Sequence, residues 1–186
     1  MIVLGIDPGT AIVGYGVIEF ENNKFKVLDY GCIFTSKDDE MPKRLNKIYD
    51  ELETIIKLYK PDSIAIEELF YFKNSKTVIS VGQARGVIVL CCERNNIESY
   101  GYTPLQVKMG VCGYGRADKK QIQEIVKKLL GLREIPKPDD AADALAIAIV
   151  HINSKNSRME SVKSNNKIPK IKSSKMTAQE YRKLLK

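Results

Sequence analysis

The chain has a single histidine, four cysteines with no CxxC pair, no internal repeat, and no apolar run approaching the roughly 18 residues of a membrane helix. His151 closes the last apolar segment and reads as structural rather than catalytic. Cys32, Cys91, Cys92 and Cys112 lie mostly among apolar residues, which suits reduced core thiols better than metal ligands. No signal-peptide pattern precedes Asp7, so the expectation is a cytoplasmic protein with no membrane partner.

At 186 residues the chain has length for one domain and an appendage. Such a domain buries about 70% of its unfolded surface if compact. Charge separates the two parts. From Ser154 onward ten lysines and arginines face two glutamates, a net +8 against +7 for the whole chain, so residues 1–153 stand near neutrality at −1. This basic stretch, with its Ser and Asn clusters, is expected to be a disordered tail over 154–186. It would either hold polyphosphate nonspecifically or serve only as a solubilising extension. Met176 to Leu185 alone has the pattern of a short helix for a partner.

Four acids stand where solvated charge is unexpected. Met1 to Ile6 has the length and branched content of a strand, and it stops at Asp7 before Pro8-Gly9-Thr10. Ser63 to Glu67 repeats the pattern after Pro61-Asp62, without polar alternation, as in a strand buried on both faces. Pro138 then precedes a run with acids in its first turn and strong helix formers beyond. Asp140 and Asp143, spaced i,i+3, share one face of that helix. The helix is apolar nearly all round, and its alanines permit close approach to a sheet.

If the four acids converge, each pair of carboxylates at about 4 Å repels by roughly 4 kcal/mol at an effective dielectric near 20. Divalent cations would remove that penalty. Oxygen donors without histidine or thiolate suit magnesium or manganese rather than zinc, and two such ions can assist phosphodiester hydrolysis. Taken singly, Asp7-Pro8-Gly9 is equally readable as a turn, and Asp140 and Asp143 as favourable charges at a helix N-terminus. Glu68 and Asp139 are rival ligands beside Glu67 and Asp140; alternation turns Glu68 to the opposite sheet face, which favours Glu67.

Elsewhere, strands are expected over 12–20 and 25–34, joined at Asn22-Asn23 as a hairpin. A helix follows over 42–58, and after the Glu67 strand another over 77–94, a strand over 97–102, and helices over 104–111, 119–130 and 139–152. The order is β-β-β-α-β-α-β-α-α-α, an α/β chain with a five-stranded mixed sheet flanked by helices.

That order, with acids on the first strand, the fourth strand and the last helix, resembles the RNase H-like (retroviral integrase) fold. Within it the chain resembles the RuvC family of Holliday junction resolvases. The resemblance is carried by Gly5-Ile6-Asp7-Pro8-Gly9-Thr10, Ala65-Ile66-Glu67-Glu68-Leu69-Phe70, Gly82-Gln83-Ala84-Arg85-Gly86, Gln106-Val107-Lys108, Gly113-Tyr114-Gly115-Arg116-Ala117-Asp118-Lys119 and Asp140-Ala141-Ala142-Asp143-Ala144-Leu145-Ala146. Each motif alone is weak, and the ordered set is highly specific. It covers residues 1 to about 152, so residues 1–153 are expected to be the resolvase domain.

The resemblance implies an endonuclease that cuts four-way DNA junctions as a homodimer in recombination and repair, by paired nicks that need magnesium or manganese. It implies in-line hydrolysis leaving 5′-phosphate and 3′-hydroxyl ends, with branch-migration helicase proteins as further partners. Asp7, Glu67, Asp140 and Asp143 would then be the catalytic, metal-binding acids. Phe70 would stack on unpaired bases at the junction centre, the alternative being an aromatic cluster under a loop. Lys108 and Lys119, with Lys120 and Arg116 beside the latter, would hold phosphates, or else be ordinary surface charges near a flexible loop. Gly82 and Gly86 would sit in the dimer interface, unless they only let their helix pack tightly on its own sheet. Two rival functions remain: a sugar kinase or actin-like ATPase, suggested by Asp7-Pro8-Gly9-Thr10, and a junction binder without catalysis.

Overall fold

In the computed structural model, which describes residues 1–68 and 75–164, the first three strands form an antiparallel meander. These are β1 (Ile2–Asp7), β2 (Ile12–Glu21) and β3 (Lys24–Phe34). Asn22 and Asn23 join the last two, both in the left-handed region at φ 51° and 59°, the conformation that a two-residue hairpin turn demands. The helix α1 (Met41–Tyr59) then carries the chain across to β4 (Ser63–Glu67), which pairs parallel with β1. After α2 (Ser75–Arg94), β5 (Ser99–Tyr102) pairs parallel with β4. The helices α3 (Pro104–Cys112), α4 (Lys119–Leu129) and α5 (Asp139–Ser164) complete the order.

The sheet order is β3-β2-β1-β4-β5, five strands of mixed direction. This is the expected α/β architecture. Strand alternation splits the core in two. Leu4, Ile6, Ile64 and Ile66 point to the side of α1 and α2, where Ile48, Leu52, Ala84 and Ile88 bury them. Val3, Ala65 and Ile18 point the other way, against α5 and α4.

Most boundaries fall within two residues of expectation, and two of the differences have a visible cause. The last strand starts at Ser99 rather than at residue 97, because the Ile97 N–H is spent on closing the end of α2, donating to the Cys92 carbonyl 3.1 Å away. More consequentially, α5 does not stop at residue 152 but runs to Ser164. Ser154 turns its hydroxyl back to the Val150 carbonyl at 2.8 Å, and Lys155 lies over the Tyr100 ring at 4.7 Å, so polar residues prolong the helix without an apolar stripe. The first eleven residues expected in the disordered tail, 154–164, are therefore helical. The first compact unit ends at Asn156, three residues later than the expected boundary. The remaining tail residues, 165–186, lie outside the described residues.

All four cysteines are free, with Cys91 and Cys92 buried. Among the described residues, no helix is long and apolar enough to cross a membrane.

Candidate active site

Alternation places Val3, Gly5 and Asp7 on the α5 side of β1, and Ser63, Ala65 and Glu67 on the same side of β4. Because Ile6 pairs with Ile66, the next residues Asp7 and Glu67 are neighbours across the ladder, about 4.8 Å apart by strand spacing. The acids of α5 reach them because the sheet presents glycines where the helix begins. A β-carbon on Gly5 would overlap the Ala144 carbonyl, and one on Gly14 would overlap that of Asp140. The first turn of α5 is thus pressed onto the ends of β1 and β2, and Asp140 and Asp143 arrive beside Asp7 and Glu67.

Two capped helices supply the opposite wall. Thr103 forms a capping box with Gln106 at the start of α3, and Asp118 forms one with Gln121 at the start of α4. The first aims Lys108 and the second aims Lys119 into one cavity of about 180 Å³, shared with Glu67, Asp143, Pro104, Val107 and Ile122. The Lys119 ammonium lies 3.1 Å from Asp143 Oδ2 and 3.4 Å from Asp139 Oδ2.

Electrostatics mark this as a crowded anionic centre. Burial, then the Glu67 and Asp143 carboxylates, a hydrogen bond with Glu67, and Asp140 drive the Asp7 carboxyl up to about 8. Burial raises Glu67 too, against a hydrogen bond from Asp7 that favours its charged form, with Asp143 raising it and Lys119 lowering it. Burial and these acidic neighbours therefore favour the protonated form of Asp7. Burial raises Asp143 although its pairing with Lys119 opposes the shift. Lys119 loses some basicity to burial but is held above its usual range by Asp143 and Asp139.

The four acids are not equally placed. Glu67 and Asp143 line the cavity, Asp7 sits against Glu67, and Asp140 acts on Asp7 more weakly. Among the described residues, no three His, Cys, Asp or Glu side chains already stand as a metal cage. The acids share a field rather than a finished coordination shell, and Lys119 occupies the cationic position beside Asp143. Glu68 lies beyond the strand end with its carboxylate over Gly101, away from that cavity.

The other candidates are scattered. Lys120 lines a different cavity, of about 380 Å³, with Cys112, Tyr114, Asp118, Gln121, Glu124 and Ile125. Arg116 is exposed on the loop before α4. Phe70 and the aromatic run around it, 69–73, lie outside the described residues. Gly86 is exposed, and a β-carbon there would meet nothing within 4 Å, so it does not serve packing on its own sheet. Ile79 and Leu90 are 70% and 54% exposed on the same helix, seven residues before and four after Gly86, which puts all three on one outward face.

Three features carried no motif to find them by. Asp139 joins the Lys119 pairing. Cys32 sits by the acids, its thiol pushed up to about 11 by burial and by Asp140, against an Ala141 amide that lowers it and with Asp7 adding to the rise. His151, wholly buried, bridges Ser63 and Tyr102.

Comparison with known proteins follows the same lines. The family profile described as crossover junction endodeoxyribonuclease RuvC matches residues 3–151. A Fusobacterium nucleatum protein of that name is 58% identical over the full length of both chains. The RuvC structure from Thermus thermophilus is 32% identical, with a TM-score of 0.78 over 86% of this chain and 97% of that one. The same protein in complex with a Holliday junction substrate gives 0.76 at 31% identity, over 86% and 96% of the two chains.

Proposed function

Because the chain belongs to the RuvC family of crossover junction endodeoxyribonucleases, we propose that its four-acid pocket is where it cuts. The chain is a nuclease that resolves Holliday junctions, the function its family carries. The finer reading is that Asp7, Glu67, Asp140 and Asp143 hold divalent cations, two magnesium ions with manganese as a substitute, and that cleavage depends on them.

One observation carries this reading: Asp7 and Glu67 are neighbours across β1 and β4, the start of α5 is pressed onto them, and burial with three neighbouring acids drives the Asp7 carboxyl up to about 8. Such a cluster is costly unless positive charge enters it. Carboxylate oxygens with no imidazole or thiolate among the four suit a hard cation. When bound, the ions supply Lewis acidity and stabilise charge on the attacking and leaving oxygens of the scissile phosphate.

The chain's own residues do the rest. Asp7 must give up the proton that burial favours to become a full ligand. Glu67 then stands within the cavity to orient the attacking water, which enters in line and leaves a 5′-phosphate and a 3′-hydroxyl. Lys119 and Lys108 on the facing wall hold the phosphates to either side. Arg116 and Lys120 contact the backbone farther out, and Phe70 stacks at the junction centre.

A homodimer supplies the two cuts. The outward face of α2, with Ile79, Gly86 and Leu90, supports this: apolar side chains flank a glycine that allows a second helix to approach closely. A twofold pair of sites suits a near-symmetric junction. We place this activity on cytoplasmic DNA, with branch-migration helicases as further partners and the basic tail adding nonspecific hold.

The test is cleavage of a synthetic four-way junction beside a linear duplex of the same sequence, with magnesium and with EDTA. Symmetric nicks in the junction alone, only with magnesium, are expected. Cutting that persists in EDTA would overturn the cation reading.

A further inference from the structure

Where α5 crosses Gly5 of β1 it presents the small, fully buried side chains of Ala144 and Ala148. Small against small is a close contact with little interlocking on this stretch, although Leu145 reaches over Gly16 on the neighbouring strand, and apolar contact alone carries no direction. Register matters here. A slip of one residue along a helix moves a side chain by about 1.5 Å and turns it by about 100°.

One polar group interrupts the seam. His151 is completely buried, with Nε2 2.9 Å from the Ser63 hydroxyl and Nδ1 2.8 Å from the Tyr102 hydroxyl. The Tyr100 ring packs on it at 4.6 Å between centroids. Burial first, and then Lys155, against the opposing Glu98, hold the imidazole down at about 4, so it is neutral. A neutral ring offers one donor and one acceptor, and two hydroxyls satisfy both in either tautomer.

The bracket lies at the far end of two arms of equal length. His151 is eight residues beyond Asp143, about 12 Å along the helix. Ser63 is four residues before Glu67, about 13 Å along β4. The helix and strand run in opposite directions, since Asp143 lies at the Glu67 end and His151 at the Ser63 end. Fixing His151 on Ser63 therefore brings Asp143 level with Glu67.

We propose that the Ser63–His151–Tyr102 bracket sets the register of α5 on β4 and β5, and thereby spaces Asp143 and Glu67 for their cation. His151 is on this view a positioning residue that touches neither substrate nor ion. Directional hydrogen bonds supply what the alanine seam lacks, the register-setting use for which buried polar groups are best attested. The proposal rests on the reading that these acids bind a divalent ion.

The experiment measures Mn2+ binding to the full-length protein from the spin-resonance signal of the free ion, beside junction affinity in EDTA. The variants are Ser63→Ala, Tyr102→Phe and their double, with Tyr102→Phe removing a single oxygen in case the double fails to fold. At a temperature where circular dichroism shows each variant folded, Mn2+ binding should weaken about 2-fold to 30-fold, the range for groups that act on a site through packed structure. Junction affinity should stay within about twofold, and saturating Mn2+ should restore cleavage. Unchanged Mn2+ affinity in a folded variant would overturn the proposal, because a merely structural bracket lowers stability without touching the ion. If the unaltered protein binds no Mn2+, the cation reading itself falls and takes this one with it.

Discussion

A β-carbon placed on Gly5 would collide with the carbonyl oxygen of Ala144 and come within 2.9 Å of the Ala148 amide nitrogen. Neither atom can yield without moving the α5 backbone. Gly5→Ala should therefore push the helix off the sheet, at a cost of about 3 kcal/mol or more, the upper end for overpacking. Urea unfolding checks the loss, and cleavage by the still-folded fraction should fall as well, because the same displacement carries Asp140 and Asp143 away from Asp7.

Asp7→Asn separates binding from chemistry. Asparagine imitates the protonated carboxyl that burial and Glu67 favour at Asp7 near neutral pH, so the fold no longer has to hold a proton that the unfolded chain releases. In EDTA the variant should melt at or above the temperature of the unaltered protein. Junction affinity should hold, while magnesium-dependent cleavage falls by more than about 100-fold, beyond what loss of an outer-sphere partner does. A variant that still cuts would remove Asp7 from the site.

The same carboxyl sets a pH dependence. Raised from 3.8 to about 8 in the folded state, Asp7 keeps its proton where the unfolded chain has released it. Between those values the folded protein holds more protons, so this group's contribution to stability is full below about 3.8 and is lost as pH rises through 8. In EDTA the melting temperature of the unaltered protein should fall across that window relative to Asp7→Asn. If magnesium binds at Asp7 it competes with the proton, and the gap between melting in magnesium and in EDTA should widen from pH 6 to 9. A gap that is flat in pH would contradict the raised Asp7 carboxyl.

Much of this was legible in the residues because local rules and tertiary structure agree. Asn22-Asn23 announces its hairpin, and Leu45, Ile48, Leu52 and Ile56 announce α1 by their spacing. Asp7 and Glu67 stand out because each ends an apolar strand. What stayed hidden depends on partners distant in sequence. Ser63 and His151 are 88 residues apart and belong to no motif. Residues 154–164 lack apolar periodicity, so nothing in their pattern announces a helix that contacts such as Lys155 on Tyr100 help to extend. Ile97 has a strand's composition but closes a helix instead.

The outward face of α2 predicts assembly. Leu90→Arg places a charge on the apolar stripe that includes Ile79 and flanks Gly86. Burying that charge between two helices without a partner is strongly unfavourable. Sedimentation should show a dimer for the unaltered protein and a monomer for the variant, and the two nicks of one junction should lose their coupling. Identical sedimentation would place the interface elsewhere.

Lys119 and Lys120 are adjacent in sequence, yet the structure separates them. One residue of helix turns the side chain by about 100°, so Lys119 faces Asp143 while Lys120 faces the cavity with Tyr114 and Glu124. Lys119→Met should reduce cleavage by about 100-fold, the scale for losing one charge-stabilising group at the reacting centre. If Lys119 also holds a phosphate, the slope of junction affinity against salt should shrink by about one charge. Lys120→Met, if Lys120 touches only the outer backbone, should reproduce the smaller slope while leaving the single-turnover cleavage rate on saturating enzyme within about threefold. Equal rate losses at both positions would mean that their different surroundings have no bearing on the chemistry.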